Sequence, residues 1–181
     1  MKLYLICGKA DSGKNFFGDI LKKKFEEAGK KVCMLRITAP LYNYAKEYFN
    51  WNGEEKTKPR ELLQTLGIEV IREKLGMKSF LVDRLTEDIK ILDNFFDTGI
   101  ITDGRLIYEF DLLKERFKDI KIIKMERKNY KNNLTEKQNN HLTEKDLDNP
   151  YDYDYVVENE SLDNLLKAAD RIVKEALWVF K

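Results

Sequence analysis

Leu3-Tyr4-Leu5-Ile6-Cys7 runs directly into Gly8-Lys9-Ala10-Asp11-Ser12-Gly13-Lys14-Asn15. The first run is apolar and of strand length. Gly8 to Lys14 match G-x-x-x-x-G-K, and Asn15 to Ala28 then take up helical spacing. A strand, a glycine-bounded turn and a helix, in that order, make a phosphate-binding loop. Gly8 and Gly13 permit the tight turn, successive N–H groups converge on an anion, and the helix aims its positive end at the same point. Lys14 adds a point charge able to reach β- and γ-phosphates. At average Gly and Lys usage a chain of this length would hold roughly 0.05 such matches by chance, so the spacing is informative. Gly8, Lys9, Ala10, Asp11, Ser12, Gly13, Lys14, Asn15 and Phe16 are therefore read as the nucleotide-binding stretch. Asn15 stands where Ser or Thr normally offers a hydroxyl to Mg²⁺, and its amide oxygen is the substitute.

Four more short apolar runs follow: Val32 to Leu35, Ile100 to Thr102, Ile120 to Ile123, and Tyr155 to Val157. Runs of this kind suit a parallel sheet covered on both faces. Helical segments lie between them. Leu62, Leu63, Leu66 and Val70 mark one that Pro59 can open at its first position, and Leu112, Leu113 and Phe117 mark another. Leu162, Leu165, Leu166, Ala169, Ile172, Val173, Ala176 and Leu177 mark the last, with Ser161 as N-cap and Asp163 in its first turn. The alternation predicts a single α/β domain over 1–181, three layers deep, with a five-stranded parallel sheet. Residues 39–98 read as an inserted region, helical throughout, and residues 128–150 as a lid-like loop.

Charge narrows the partners. Lys and Arg total 33 against 32 Asp and Glu in 181 residues, a net charge of +1. That balance argues against a nucleic-acid binder, which carries a basic excess. No apolar stretch approaches the ~20 residues that span a bilayer, so no membrane partner is expected. Cys7 and Cys33 sit inside apolar runs and read as buried, reduced thiols in a cytoplasmic protein. One His and two distant Cys make no zinc site. His141 reads as an organiser of the loop around it.

The third strand closes on Asp103, followed by Arg105 and Glu109. Placed beside the first strand, Asp103 faces the phosphate loop and can hold Mg²⁺ directly or through water. Arg60 and Gln64 share a helix face one turn apart, with Arg72 further along. Beside Tyr42, Tyr44, Tyr48 and Trp51, these residues suit an acceptor carrying both a phosphate and a base, since arginine grips phosphate bidentately. They also fit a solvated helix face backed by core aromatics. Arg127, at the mouth of the lid-like segment, joins Lys14 and Arg105 as a cation for phosphoryl transfer.

These stretches resemble the phage-type and bacterial deoxynucleoside monophosphate kinases. The resemblance runs through Gly8 to Asn15, Thr38-Ala39-Pro40-Leu41, Lys58-Pro59-Arg60-Glu61-Leu62-Leu63-Gln64-Thr65-Leu66-Gly67, Asp103-Gly104-Arg105, Glu109, His141-Leu142-Thr143-Glu144 and Tyr153 to Asn159. It implies a P-loop kinase fold with a helical acceptor-binding insertion and a lid. It also implies ATP- and Mg²⁺-dependent transfer to a small phosphorylated acceptor, a deoxynucleoside or nucleoside monophosphate, by a monomer or homodimer. Lys14, Asp103, Arg105 and Arg127 would be catalytic, while Thr38, Arg60, Gln64, Arg72, Asp103, Arg105 and Glu109 would meet the acceptor. Asn15 and Asp103 would hold the metal. The chain departs from the family's usual Asp, Val and Thr at Asn15, Gly104 and Ile68. Phosphomevalonate kinases share the loop, the Asp-x-Arg strand end and the Leu147 to Asn159 region, and dephospho-coenzyme A kinases resemble the chain more distantly. A nucleotide-binding module without transfer activity is the remaining alternative.

Overall fold

The computed structural model describes residues 1–128, 130, 132 and 134–178. Five strands, β1 (Lys2–Cys7), β2 (Val32–Leu35), β3 (Thr98–Gly104), β4 (Ile120–Glu126) and β5 (Tyr155–Glu158), form one sheet in the order β2-β3-β1-β4-β5. Every pairing is parallel. All five strand carboxyl ends therefore open on one edge, where ligands bind in open α/β sheets.

The apolar runs are explained by burial on both faces. Leu3, Leu5 and Cys7 of β1 point into one core and Tyr4 and Ile6 into the other. β4 divides likewise, with Ile120 and Ile122 on one side and Ile123 and Met125 on the other. The second core is closed by α1 (Lys14–Glu27), through Phe17, Leu21 and Phe25, and by α8 (Leu162–Trp178), through Leu165, Ala169 and Ile172. The first is closed by α2 (Ala39–Tyr48), α4 (Phe80–Leu92) and α5 (Ile107–Arg116), through Leu41, Leu85 and Phe110 among others. Each such side chain removed from water contributes about 1.5–3 kcal/mol. Ser161 caps α8, its Oγ accepting from Asn164 N–H at 3.2 Å.

The inserted region is less helical than its sequence suggests. After α2 the chain turns through Asn50 and Gly53, both in the left-handed region (φ 56° and 86°), which ends any continuous helix. Pro59 is the residue that precedes α3 (Arg60–Gln64), not its first turn. Beyond α3 the helix widens into a π-helical stretch, Thr65–Lys74, and Leu75 N–H reaches back five residues to Val70 O at 2.9 Å. This shift turns Ile68 and Ile71 inward.

The segment read as a lid is not structureless either. It holds α6 (Glu136–Asn139) and α7 (Leu142–Lys145), followed by a 3₁₀ turn at Asp146–Asp148. Thr135 and Gln138 form a capping box on α6, and His141 caps α7. Asn129, Lys131 and Asn133 of that segment lie outside the described residues.

Candidate active site

The loop between β1 and α1 takes the backbone form its glycines allow. Gly13 has φ 97°, and a Cβ there would lie 2.3 Å from Asn159 Nδ2. A Cβ on Gly8 would lie 2.8 Å from the Met125 carbonyl oxygen. The first turn of α1 has neither an acid of its own nor a side-chain cap, so its positive end points into the loop. Lys14 is buried, and its Nζ donates to Gly8 O at 2.8 Å and Lys9 O at 2.7 Å. Burial, and then the charge of Arg105, bring its pKa down to about 7 against the pull of Glu144, Cys7 and Asp103. Ser12 Oγ is buried without a hydrogen-bond partner among the described residues, as suits a donor in an anion site.

Other elements brace this loop. Asn159, at the end of β5, donates from Nδ2 to Ser12 O at 3.0 Å, and the Tyr130 hydroxyl donates to Ala10 O. Arg127 Nη1 donates to Asp11 O at 3.3 Å, its guanidinium 4.8 Å from the Tyr130 ring centre. Arg127 thus holds the loop and lines neither part of the cleft described below. Lys9 also turns aside, pairing with Asp148 at 2.5 Å. Both cations support the loop, whereas the sequence suggested that they meet substrate.

In front of the loop lies a cleft lined by Lys14, Asn15, Phe16, Arg36, Lys58, Arg60, Asp103 and Arg105. Asp103 is fixed by the loop after β2. Its Oδ1 accepts from Ile37 N at 2.9 Å, and its Oδ2 from Thr38 N at 2.9 Å and Thr38 Oγ1 at 2.5 Å. Arg60 and Lys58 both lie near Glu55 Oε1, at 3.7 and 3.2 Å.

The cleft deepens into a second, more apolar cavity walled by Leu63, Ile68, Leu81, Leu106 and Tyr108, with Thr38, Gln64 and Glu109 as polar members. Tyr42, Lys58, Arg60, Asp103 and Arg105 line both spaces. Glu109 is fully buried, and its pKa rises to about 8 through burial and then the Asp103 charge, against amides at Leu106 and Arg105 and the Arg72 guanidinium. Arg72 itself stacks on Tyr108 at 4.4 Å, with Nη1 buried and without a hydrogen-bond partner among the described residues, and it does not line the cavity. Gln64 Nε2 reaches Thr143 Oγ1 at 3.5 Å.

Sequence reasoning missed Arg36 and Lys58, which sit 5.3 and 5.0 Å from the Tyr42 ring centre, on a ring already packed against Trp51. Their signal was position: Arg36 leaves the end of a strand, and Lys58 precedes the Pro59-Arg60 helix start. The four aromatics divide. Trp51 is buried, Tyr44 packs on the core, Tyr48 is exposed, and Tyr42 faces the cleft. A Cβ on Gly104 would lie 2.5 Å from Leu5 Cδ2, so a side chain there would require Leu5 to shift.

No helix among the described residues is long and apolar enough to cross a membrane. A family model described as deoxynucleotide monophosphate kinase matches residues 27–169. No curated protein matches the chain in sequence. Among solved structures, APS kinase from Mycobacterium tuberculosis in complex with AMPPNP and APS is similar. The likeness has a TM-score of 0.58 at 11% identity and covers 96% of this chain and 95% of that one. Shikimate kinase from Bacteroides thetaiotaomicron is similar with a TM-score of 0.55 at 13% identity, over 97% and 98% of the two chains. At these identities the structural likeness speaks to the fold.

Proposed function

The chain belongs to the deoxynucleotide monophosphate kinase family, and from that premise we propose that it transfers the γ-phosphate of ATP to a deoxynucleoside monophosphate, giving the diphosphate. One observation carries the reading. Three cations, Lys58, Arg60 and Arg105, line both the phosphate-loop cleft and the apolar cavity behind it. A triphosphate on the loop and a monophosphate at the cavity mouth would meet between them.

The chemistry asks for little else. The second pKa of a phosphate monoester is about 6, so the attacking oxygen is already mostly ionised at pH 7. The task is to hold two anions in line and offset the charge that develops. Lys14 serves the donor phosphates and Arg105 the space between. Arg60, Lys58 and Arg36 serve the acceptor phosphate, and Tyr42, Tyr108 and Gln64 line the space for a flat base. A hydroxyl acceptor would need a base. Asp103, already accepting three hydrogen bonds from Ile37 and Thr38, is poorly placed to take a proton. This disfavours the dephospho-coenzyme A reading.

The donor set suits Mg²⁺ carried in by the nucleotide. Asp103 Oδ1 accepts a single hydrogen bond and keeps a lone pair for a metal-bound water, and Asn15 offers an amide oxygen at the cleft. When bound, the ion neutralises charge on the β- and γ-oxygens.

The test is ADP release with ATP and Mg²⁺ against a panel of deoxynucleoside monophosphates, phosphomevalonate and dephospho-coenzyme A. We expect turnover with at least one deoxynucleoside monophosphate. Turnover confined to either other acceptor would replace the proposed substrate class, and silence with all would leave a nucleotide-binding module.

A further inference from the structure

Glu144 belongs to α7, yet its carboxylate lies inside the phosphate loop. Oε2 accepts the Ala10 backbone N–H at 2.8 Å, and Oε1 accepts from Arg105 Nη1. The residue is 6% exposed. It stands close enough to Lys14 for its charge to favour the protonated ammonium. A loop amide and the arginine of the transfer zone therefore converge on one carboxylate, while the loop lysine, held by Gly8 O and Lys9 O, feels its charge. These are the groups that the proposed reaction assigns to phosphate.

The electrostatics explain its presence. Without an anion, Lys14 and Arg105 would face each other across a buried space, and Arg105 already depresses the Lys14 pKa. Glu144 offsets that repulsion. A buried ion pair is a costly way to fasten a helix, because both charges lose water. The contact is economical only if its partners need an anion in any case.

We propose that Glu144 is a built-in phosphate surrogate. It fills the anion site of the empty enzyme, and the terminal phosphate of an incoming nucleoside triphosphate displaces it, transferring Arg105 from carboxylate to substrate. The inference rests on the reading of Gly8 to Lys14 as a triphosphate site. A carboxylate and a phosphoryl oxygen cannot both take the Ala10 N–H, and two anions that close repel. Glu144 therefore competes with the ligand, whereas a purely structural Glu144 would support the loop and aid binding.

The experiment titrates inorganic triphosphate calorimetrically into the native protein, Glu144→Gln and Glu144→Ala, with circular dichroism to confirm folding. Glu144→Gln keeps the size and one acceptor oxygen and removes only the charge, so it remains informative if Glu144→Ala is unstable. Affinity is expected to rise from native through Gln to Ala, with Gln about tenfold tighter than native. Unchanged or weaker binding by folded Glu144→Gln overturns the proposal. Binding by none of the three overturns it together with the phosphate-loop assignment. Tighter binding by the variants without transfer to any deoxynucleoside monophosphate upholds the surrogate and defeats the kinase reading instead.

Discussion

The phosphate loop and the acceptor wall face each other across one cleft but are built by opposite means. The loop is one continuous stretch, Gly8 to Lys14, with glycines at positive φ at Gly8 and Gly13, and the phosphate proposed for it would meet mostly backbone amides. The proposed acceptor wall is assembled from side chains on separate elements. Arg36 follows β2, Tyr42 stands on α2, Lys58 and Arg60 lie around the start of α3, and Tyr108 and Glu109 stand on α5. A backbone site leaves a motif in sequence and fails abruptly when altered. A side-chain site leaves scattered residues and fails by degrees.

Removing Lys14 from the loop should give the largest effect. Lys14→Ala should lower kcat by about 100-fold or more while leaving the far-ultraviolet circular dichroism unchanged. A variant with native turnover would remove the loop from the mechanism. On the opposite wall, Arg60→Ala should act more mildly, because Lys58 and Arg36 line the same cleft. KM for the monophosphate should rise by about tenfold with a smaller change in kcat, read from steady-state kinetics. An equal loss in Lys14→Ala and Arg60→Ala would erase the contrast between the two walls.

The smallest effect concerns Glu109 and is read from stability. Its folded pKa is about 8, above the ordinary 4.5, so between those values the folded state binds a proton that the unfolded state has lost. Its stability contribution is complete below pH 4.5 and diminishes as pH rises to about 8. The native Tm should therefore fall between pH 5 and 8 by roughly 3 °C or more beyond any change in Glu109→Gln, measured by calorimetry. Parallel pH profiles would place Glu109 in a wetter setting than the cavity wall.

The same contrast explains how much could be read beforehand. All five strands were legible as short apolar runs, most clearly β1, which is buried on both faces and so is apolar along its length, as Leu3 to Cys7 shows. The edge strand β5 exposes Val156 yet keeps a short apolar run. The end of β3, where Asp103 stands, lies beside the loop as strand order leads one to expect, because β3 pairs with β1. The inserted region was over-read as helix. Asn50 and Gly53 carried the turn signal, but the apolar spacing around them masked it. The π-helical stretch at Thr65–Lys74 left no signal, since its apolar residues also fit an α-helical period. Arg72 and Arg127 were assigned to the site from charge and position, and the structure uses them beside it, on Tyr108 and on the loop carbonyl of Asp11. Glu144 stands in the resemblance only as the end of His141-Leu142-Thr143-Glu144 and carries no role there, for the opposite reason. An acid in a polar, Asn-rich segment looks exposed, and only the folded chain reveals it as a buried partner of Arg105.

Phosphorus NMR of the enzyme with ATP, Mg²⁺ and the best deoxynucleoside monophosphate follows where the γ-phosphate goes. Transfer between the two walls predicts that the β-phosphate signal of a deoxynucleoside diphosphate grows in step with ADP. ADP accompanied only by orthophosphate, with the monophosphate signal unchanged, would contradict it.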